Sequence, residues 1–333
     1  MRIFTPGRLL AVGLVLFVVF FALWRFPSKE YIFLPDRAHP VAPLVSVSGG
    51  HDPNDGGGIF FVDVVVRKAT LLERLFGGLH DGADLHPPQD VVPPGLNDKQ
   101  QRQVDLADMR RSQQIAAAVA LRAIGQKVRA IPTGALVAGV QRGLPAAGQL
   151  HPADVIVGVD GTPVRTPAQL TEAMRQKAVG STVHFTVRRG SDKLVVPVKT
   201  VAAGPGSTRA IVGVFPDQAT DIRLPRKVSI DANGVGGPSA GLAFALDVLE
   251  ELGRNVDGGL KIAATGEIFL DGTVGPIGGV KQKTFGARQA HVDAFLVPVD
   301  NAGEARKYAH GLRIIPVKSF QQALRALKTL RQS

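Results

Sequence analysis

The chain has 333 residues, a formal net charge of +11 and no cysteine. Its length is enough for more than one domain, and the lack of cysteine excludes disulfides, thiolate metal ligands and cysteine nucleophiles. The basic residues are dispersed among apolar ones, and two tyrosines and one tryptophan offer few surfaces for base stacking. Nucleic acid is therefore not expected as a partner.

The first predicted element is a helix over the uncharged run from Leu9 to Trp24, which Arg8 and Arg25 flank. Such a run rises about 24 Å as a helix, which just spans a bilayer when the arginines snorkel. No small-residue cleavage site follows, so the sequence favours an uncleaved anchor over residues 1–28 rather than a signal peptide. The basic N-terminus then predicts a single-pass protein of the cell membrane, with the bulk of the chain on the extracytoplasmic side.

Two β-type runs follow, at residues 43–50 and 57–69, and the turn-rich HDPNDGG between them predicts a hairpin or paired strands. The Pro-rich segment 80–100 is predicted to be a surface loop. His80 and His86 lie in this loop without a third ligand at a regular spacing. No metal site is expected there.

An alanine-rich helix is predicted over residues 108–125, with Gly125 as its stop. From about Ile131 the pattern changes to strand, strand with an Asp-Gly turn, helix, strand, turn and strand. The pieces GLPAAGQLHPADVIVGVDGTPV and VGSTVHFTVRRG resemble a bacterial PDZ domain, which we place at residues 127–203.

The PDZ resemblance implies a groove that binds a peptide by strand addition. The strand from Ala135 to Gly139 would form its floor, and the helix from Pro167 to Gln176 would form its wall. The implied peptide-binding residues are Gly134, Ala135, Leu136 and Val137. The other interpretation is a spacer that packs against the rest of the chain.

The segment GGPSAGLAFALDVLEEL places Ser239 at the start of an amphipathic helix. The helix has one apolar stripe, formed by Leu242, Ala245, Leu246 and Leu249. Free amides at a helix start suit a developing oxyanion, and Gly236 and Gly237 would let a substrate backbone come close. By its spacing alone, Ser239 is either a nucleophile or a helix cap.

Two kinds of proton acceptor are open for Ser239. The stretch from Gly237 to Gly241 formally matches G-x-S-x-G, the nucleophile elbow of α/β-hydrolases, with Asp300 and His310 as further triad members. That alternative would make the protein an esterase. The flexible loop before the serine and the restricted backbone of Pro238 argue against it.

The other acceptor is a lysine on a predicted helix that follows Gly279. Lys281 and Lys283 are two residues apart, so at most one of them faces inward. Lys283 shares a stripe with Val280, Thr284 and Ala287, and it is therefore the lysine that the helix would bury. Burial disfavours an ammonium and lowers its pKa, which makes the amine a usable base.

Three motifs in order and spacing, GGPSAG, ATGEI and VGPIGGVKQK, resemble the proteolytic domain of Lon proteases. The resemblance implies Ser239 as nucleophile, Lys283 as base and Thr265 as a residue that orients the lysine. The upstream pieces GGIFFVDVVVRKA and MRRSQQIAAAVALRA are similar to earlier parts of such domains. With its anchor and PDZ segment, the whole chain resembles the bacterial PDZ-Lon family of membrane-bound proteases.

The resemblance implies an α/β (α+β) fold: a discontinuous Lon-type domain of residues 30–125 and 204–333, an inserted α+β PDZ domain and one transmembrane helix. Gly236 stands where Lon enzymes usually carry an acidic residue, and the sequence has no G-x-x-x-x-G-K-[ST] nucleotide loop. The implied activity is an ATP-independent serine endopeptidase without cofactor or metal. Its partners would be polypeptide substrates and further copies of itself, most often as a hexamer. A non-catalytic PDZ adaptor at the membrane is the alternative.

Overall fold

The computed structural model describes residues 6–50, 56–93 and 96–331. Helix α1 (Pro6–Arg25) occupies the segment for which the sequence predicted a membrane anchor. Among the described residues, no helix combines the length and the hydropathy that crossing a membrane requires. Most of the predicted HDPNDGG turn lies outside the described residues.

The elements fall into three successive groups along the chain. The first contains β1 (Pro27–Pro35), β2 (His39–Pro40), β3 (Val45–Val47), β4 (Gly58–Phe61), β5 (Val64–Thr70), α2 (Leu71–Leu75), β6 (Asp84–His86), α3 (Pro88–Val91) and α4 (Asp98–Ala123). The second contains β7 (Arg129–Val140), β8 (Val155–Val159), β9 (Thr162–Pro163), α5 (Pro167–Arg175), β10 (Thr182–Arg189), β11 (Asp192–Lys199), β12 (Val201–Ala202), β13 (Ala210–Ile211) and β14 (Val214–Arg223). The third contains β15 (Val228–Ile230), α6 (Gly241–Glu250), β16 (Lys261–Ala264), β17 (Glu267–Ile268), β18 (Val274–Gly275), α7 (Val280–Gln289), β19 (Ala294–Pro298), α8 (Ala302–Tyr308), β20 (Arg313–Val317) and α9 (Phe320–Leu330).

A largely parallel sheet of order β2-β4-β16-β19-β20 forms the centre of the part built from the first and third groups. Side chains of its strands alternate between two faces. Ile262 and Leu296 face a core shared with α4, α6 and α9, whereas Ala263 and Phe295 face a core shared with α7 and α8. The result is a layer of strands between two layers of helices, in agreement with the predicted mixed α/β class.

The two β-type runs predicted as a hairpin pair with other strands instead. Strand β3 pairs antiparallel with β15, and β4 pairs parallel with β16. The second run also breaks after Phe61, so that β5 joins β1 in a separate sheet of order β5-β1-β6. Both new partners come from the C-terminal part of the chain, which local alternation cannot reveal.

Helix α4 begins well before the predicted residue 108. Asn97 and Gln100 form a capping box, in which each side chain accepts a hydrogen bond from the backbone amide of the other, at 3.0 and 2.9 Å. Such a box stabilises a helix start. The segment predicted as a surface loop therefore contains β6, α3 and the first residues of α4.

The predicted PDZ segment forms a sheet of order β11-β10-β8-β7-β14, on which helix α5 packs. Its core includes the fully buried Ile156, Phe185 and Leu150. Helix α5 covers the predicted span except for Gln176, which is its C-cap. Strand β14 extends this sheet beyond the predicted boundary at residue 203.

Candidate active site

The loop before Ser239 is fastened to helix α4. The Gly237 amide donates to the Asp105 carbonyl at 2.8 Å, and the Ser112 hydroxyl donates to the Pro238 carbonyl at 2.9 Å. The Arg102 guanidinium donates to the Gly234 carbonyl. The serine loop is thus held against one helix at several points.

Gly236 lies where the loop comes closest to α4. A Cβ at this position would lie 2.7 Å from the Asp105 Cβ, too close for two carbon atoms. The packing of the loop on α4 therefore leaves no room for a side chain at position 236.

Ser239 precedes helix α6 and does not cap it. The helix begins at Gly241, its N-cap position is Ala240, and no side chain caps it. Ser239 thus lies at the N-terminal end of α6, as predicted, two residues before the first helical residue. Pro238, predicted in the first helical turn, precedes the helix, because Pro238 to Gly241 form a turn closed by the Gly241 amide on the Pro238 carbonyl at 3.2 Å.

Thr265 and Gly266 hold the backbone of Ser239 from the other side. The Ser239 carbonyl accepts from the Gly266 amide at 2.8 Å and from the Thr265 hydroxyl at 3.1 Å. Thr265 was predicted to orient the lysine. Among the described residues its hydroxyl donates to the backbone carbonyl of Ser239, so that it holds the main chain of the serine.

Lys283 meets Ser239 across the site. Its Nζ donates to the Ser239 Oγ at 2.7 Å, and the residue is only 4% exposed. The apolar stripe predicted for α7 is confirmed, since Val280, Thr284 and Ala287 are also buried. Lys281 faces elsewhere and donates to Asp84 Oδ1 at 2.8 Å. Of the two lysines, Lys283 is the one within reach of the serine.

Burial and one nearby carboxylate set the charge of Lys283. Burial lowers its pKa to about 8, and the negative charge of Asp63 opposes this shift. Burial also raises the pKa of Asp63, an effect that Asp36 increases and that His39 and Lys283 reduce. Asp63 Oδ1 is buried without a hydrogen-bond partner in the described part of the chain.

Sequence reasoning missed the group around Asp63. Ligand atoms of Asp36, His39 and Asp63 lie within 4.8 Å of one another, and His39 Nε2 is 3.6 and 3.7 Å from the two carboxylates. The spacing would admit a small cation, although the side chains of His39 and Asp36 are 44% and 37% exposed. The signal available in the sequence was one carboxylate directly after a buried strand.

Ser239 and Lys283 open into a cleft of about 870 Å³. One wall is strand β5 and the other is the serine loop with the start of α4. Strand β5 is an edge of its sheet, and its Val65 and Val66 are 40% and 43% exposed. An open strand edge beside a nucleophile suits an extended polypeptide.

The sequence predicted that free amides at the start of the serine helix, with the loop of Gly236 and Gly237, would hold an oxyanion. The Gly237 amide already donates to the Asp105 carbonyl. Within the described residues, the amides of Gly236, Ser239 and Ala240 have no hydrogen-bond acceptor. These three amides, two of which directly precede helix α6, are therefore the candidates for an oxyanion site.

The histidines singled out by sequence lie away from Ser239. His310 is exposed and lines a different depression with His291, and Asp300 is exposed as well. His80 contacts Glu73 at 2.8 Å, and the His86 ring packs on Phe33. The hydrolase-type triad is not assembled.

The predicted peptide-binding residues of the PDZ segment lie in or beside strand β7, as expected. Strand β7 lies inside its sheet, however: β8 pairs with one of its edges and β14 with the other. Gly134 is opposite Ala219, Ala135 opposite Gln218, Leu136 opposite Asp217, and Val137 opposite Pro216. The main-chain groups of the predicted floor are therefore paired on both sides, and the edge strand of the sheet beside β7 is β14.

Comparisons with known proteins agree with this architecture. Residues 206–329 match the Lon protease (S16) C-terminal proteolytic domain, and residues 122–200 match the PDZ domain. Lon protease 2 of Bacillus subtilis is 30% identical over 201 residues, which are 60% of this chain and 34% of that protein. The Lon protease of Clostridium beijerinckii is 39% identical over 93 residues, 27% of this chain and 12% of that protein. The chain thus spans about a third or less of these relatives.

Among solved structures, the PDZ domain of an SdrC-like protein from Listeria innocua is 27% identical and covers 26% of this chain and 96% of that one, with a TM-score of 0.24. A score this low carries no structural argument. Fold, site and family matches together define a protease domain joined to a PDZ domain. The chain carries a Lon protease C-terminal proteolytic domain and is homologous to Lon proteases.

Proposed function

We propose that this chain is a serine endopeptidase in which Lys283 takes the proton of Ser239, and that it cleaves polypeptides without ATP. The observation that carries the proposal is the 2.7 Å contact between the Lys283 Nζ and the Ser239 Oγ. The depressed pKa of the buried lysine supports it, because a neutral amine is a base and an ammonium is not.

The first half of the reaction transfers the acyl group to the serine. The neutral Lys283 amine accepts the hydroxyl proton while Oγ bonds to the scissile carbonyl carbon. The amides of Ser239 and Ala240, which have no acceptor among the described residues, would donate to the oxyanion. The Lys283 ammonium then gives its proton to the departing nitrogen, the C–N bond breaks, and an ester on Ser239 remains.

The second half returns the enzyme to its starting state. Water attacks the ester carbon and passes a proton to Lys283, and this proton goes to Oγ as the C–O bond breaks. Thr265 and Gly266 keep the Ser239 backbone in place throughout, through their bonds to its carbonyl. No nucleotide is consumed in these steps, and the sequence has no P-loop.

The cleft favours polypeptides over small esters. A substrate strand would pair with the open edge of β5 and pass its scissile carbonyl in front of Ser239. Capture of substrates by the PDZ domain belongs to the same proposal. Membrane attachment, the extracytoplasmic location and a ring of subunits stay predictions from the sequence, and the chemistry above does not depend on them.

Cleavage of a fluorogenic peptide by the purified chain, without nucleotide, tests the proposal. Ser239→Ala and Lys283→Ala should each lower kcat/KM by on the order of 10³-fold or more, as losses within a nucleophile–base unit do. His310→Ala is the matched control and should retain activity. Activity that survives Lys283→Ala and is lost in His310→Ala would contradict the dyad. Tight peptide binding without cleavage in the unmodified chain would indicate an adaptor.

A further inference from the structure

The cleft beside the dyad has one wall formed by a strand and one formed by a helix face. Strand β5 lines it from Val64 to Lys68. Residues of α4 that are three or four positions apart, and hence on one face of the helix, line the other wall. They are Asp98, Gln101, Arg102 and Asp105. Both walls can therefore be followed outward from the dyad.

Strand β5 runs away from the dyad. At its start, a Cβ on Gly279 would lie 2.6 Å from the Val64 Cγ2, and Gly279 is the N-cap of the helix that carries Lys283. Lys68 is four residues further along the strand. A strand rises about 3.3 Å per residue, so Lys68 lies about 13 Å from Val64 along β5.

Helix α4 covers a similar distance on the other wall. Its Asp105 carbonyl accepts from the Gly237 amide, two residues before Ser239. Asp98 is seven residues before Asp105, which corresponds to about 10 Å along a helix. Lys68 and Asp98 therefore lie at comparable distances from the dyad, on opposite walls of the cleft.

An ion pair joins the two walls at this point. Lys68 Nζ lies 3.0 Å from Asp98 Oδ2, and the Tyr31 hydroxyl donates to Asp98 Oδ1. Tyr31 is the direct partner of Lys68 in the pairing of β1 with β5, so both side chains lie on the same face of their sheet. The bond from Tyr31, and after it the bond from Lys68, lowers the pKa of Asp98 and favours its charged form. Within the described ranges, no other ion pair connects β5 with α4.

The ion pair is able to open without unfolding either wall. The side chains of Lys68 and Asp98 are 47% and 56% exposed, whereas Tyr31 is 8% exposed. An exposed ion pair changes an equilibrium constant by a factor of about five or less. The Lys68 side chain can therefore turn into solvent while Tyr31 keeps its bond to Asp98.

We propose that the ion pair between Lys68 and Asp98 closes one end of the cleft and limits the length of substrate bound on that side of the scissile bond. An extended chain rises about 3.3 Å per residue, so about four residues fit between the dyad and the ion pair. A longer segment binds only after Lys68 has released Asp98. Lys68 and Asp98 thus determine specificity for substrate length, an inference that rests on the proposed binding of substrate along β5.

Two series of synthetic peptides test the inference. Both contain one bond that the full chain cleaves in carboxymethylated lactalbumin, an unfolded protein. One series is lengthened from about three to about eight residues before that bond and the other after it, because the limit applies to whichever side lies along β5. At each length, kcat/KM of the full chain is divided by that of Lys68→Ala. In one series this ratio should stay constant up to about four residues and then fall about two- to fivefold, since longer peptides bind only the open fraction.

Three further variants control the measurement. Asp98→Ala removes the other partner and should give the same result as Lys68→Ala, which also covers the case that one of the two fails to fold. Lys68→Arg retains the ion pair and should keep the limit. Lys99→Ala should keep it as well, because Lys99 is next to Asp98 on α4, is exposed and is not among the residues that line the cleft.

A ratio that stays constant at all lengths in both series would overturn the inference. It would leave the proposed function intact, because cleavage would have been measured throughout. Loss of the limit in Lys68→Arg or in Lys99→Ala would also overturn it, since the ion pair would then not be its cause. A full chain that cleaves no bond of the unfolded protein would contradict the proposed function, and the inference would fall with it.

Discussion

Ser112 and Pro238 are joined by a 2.9 Å hydrogen bond from the hydroxyl of the first to the carbonyl of the second, across 126 positions of sequence. Pro238 is the residue before the nucleophile, so the place of Ser239 depends on a helix from the other half of the protease domain. Asp105 on the same helix accepts from the Gly237 amide. Helix α4 is therefore part of the site although it carries neither member of the dyad.

Removal of the Ser112 hydroxyl should loosen the serine loop. For Ser112→Ala we expect a loss of about 1 kcal/mol of unfolding free energy, because Ser112 is buried and its bond to the Pro238 carbonyl disappears. The kcat should fall while KM changes little. Urea unfolding and peptide kinetics provide the measurements, with the exposed Ser46→Ala as control. Unchanged stability and kcat would show that the loop holds its position without α4.

A side chain at position 236 should be harmful. In Gly236→Ala the new Cβ would meet the Asp105 Cβ at 2.7 Å, so either the loop or the helix must move. We expect a loss of about 1–3 kcal/mol, typical of overpacking, together with reduced kcat. Gly303→Ala is the control, since a Cβ there would meet nothing within 4 Å. A stable and fully active Gly236→Ala chain would be inconsistent with the described packing.

Neutralisation of Asp63 should extend activity to lower pH. The Asp63 carboxylate favours the ammonium form of Lys283, against the effect of burial. Without that charge, in Asp63→Asn, the pKa of Lys283 falls further and the neutral base persists to lower pH. The acid limb of the pH profile of kcat/KM should therefore move downward, whereas the exposed Asp300→Asn should leave it in place. Movement in the opposite direction would mean that Asp63 does not act on the lysine.

Replacement of the buried base should stabilise the fold. Burial lowers the pKa of Lys283 in the folded state to about 8, against 10.5 for an unperturbed lysine. Below pH 8 the folded state holds Lys283 as a buried ammonium, which lowers the unfolding free energy. This penalty shrinks as pH rises above 8 and disappears above the pKa of the unfolded state. Lys283→Met should thus raise the unfolding free energy by about 1–3 kcal/mol at pH 7, and the gain should shrink toward pH 10.5.

Urea unfolding at pH 7 and at pH 10.5 measures this gain in unfolding free energy, with Lys281→Met as the comparison. Lys281 is paired with Asp84 and should give no gain at either pH. A Lys283→Met chain that is clearly less stable than its parent at pH 7 would identify Lys283 as a charged structural residue.

Local patterns predicted the two catalytic helices well. The stripe that buries Lys283 follows from positions 280, 283, 284 and 287, which lie on one side of any α-helix, and all four are buried. The stripe of α6 is buried as well, but the helix is surrounded by core on all sides and starts later than predicted. Its start depends on the contacts of Pro238 with α4, which no local pattern contains.

Relations between distant segments could not be predicted. The alternation in residues 57–69 indicates strands, but nothing in it names β16 as the partner of β4. The resemblance assigned Thr265 to the orientation of the lysine, and the bond of its hydroxyl to the Ser239 carbonyl could not be predicted from the sequence. The pairing of β14 with β7 was missed for the same reason, since no local feature of an exposed strand with a proline names its partner strand.

The pH dependence of serine acylation tests the central claim most directly. The rate constant for labelling of Ser239 by a serine-directed phosphonate should rise with pH through an inflection near 8, set by the pKa of Lys283. Lys283→Met should abolish this rise together with most of the labelling, and Ser239→Ala should not be labelled. Labelling that keeps its rate and its pH dependence in Lys283→Met would contradict the account.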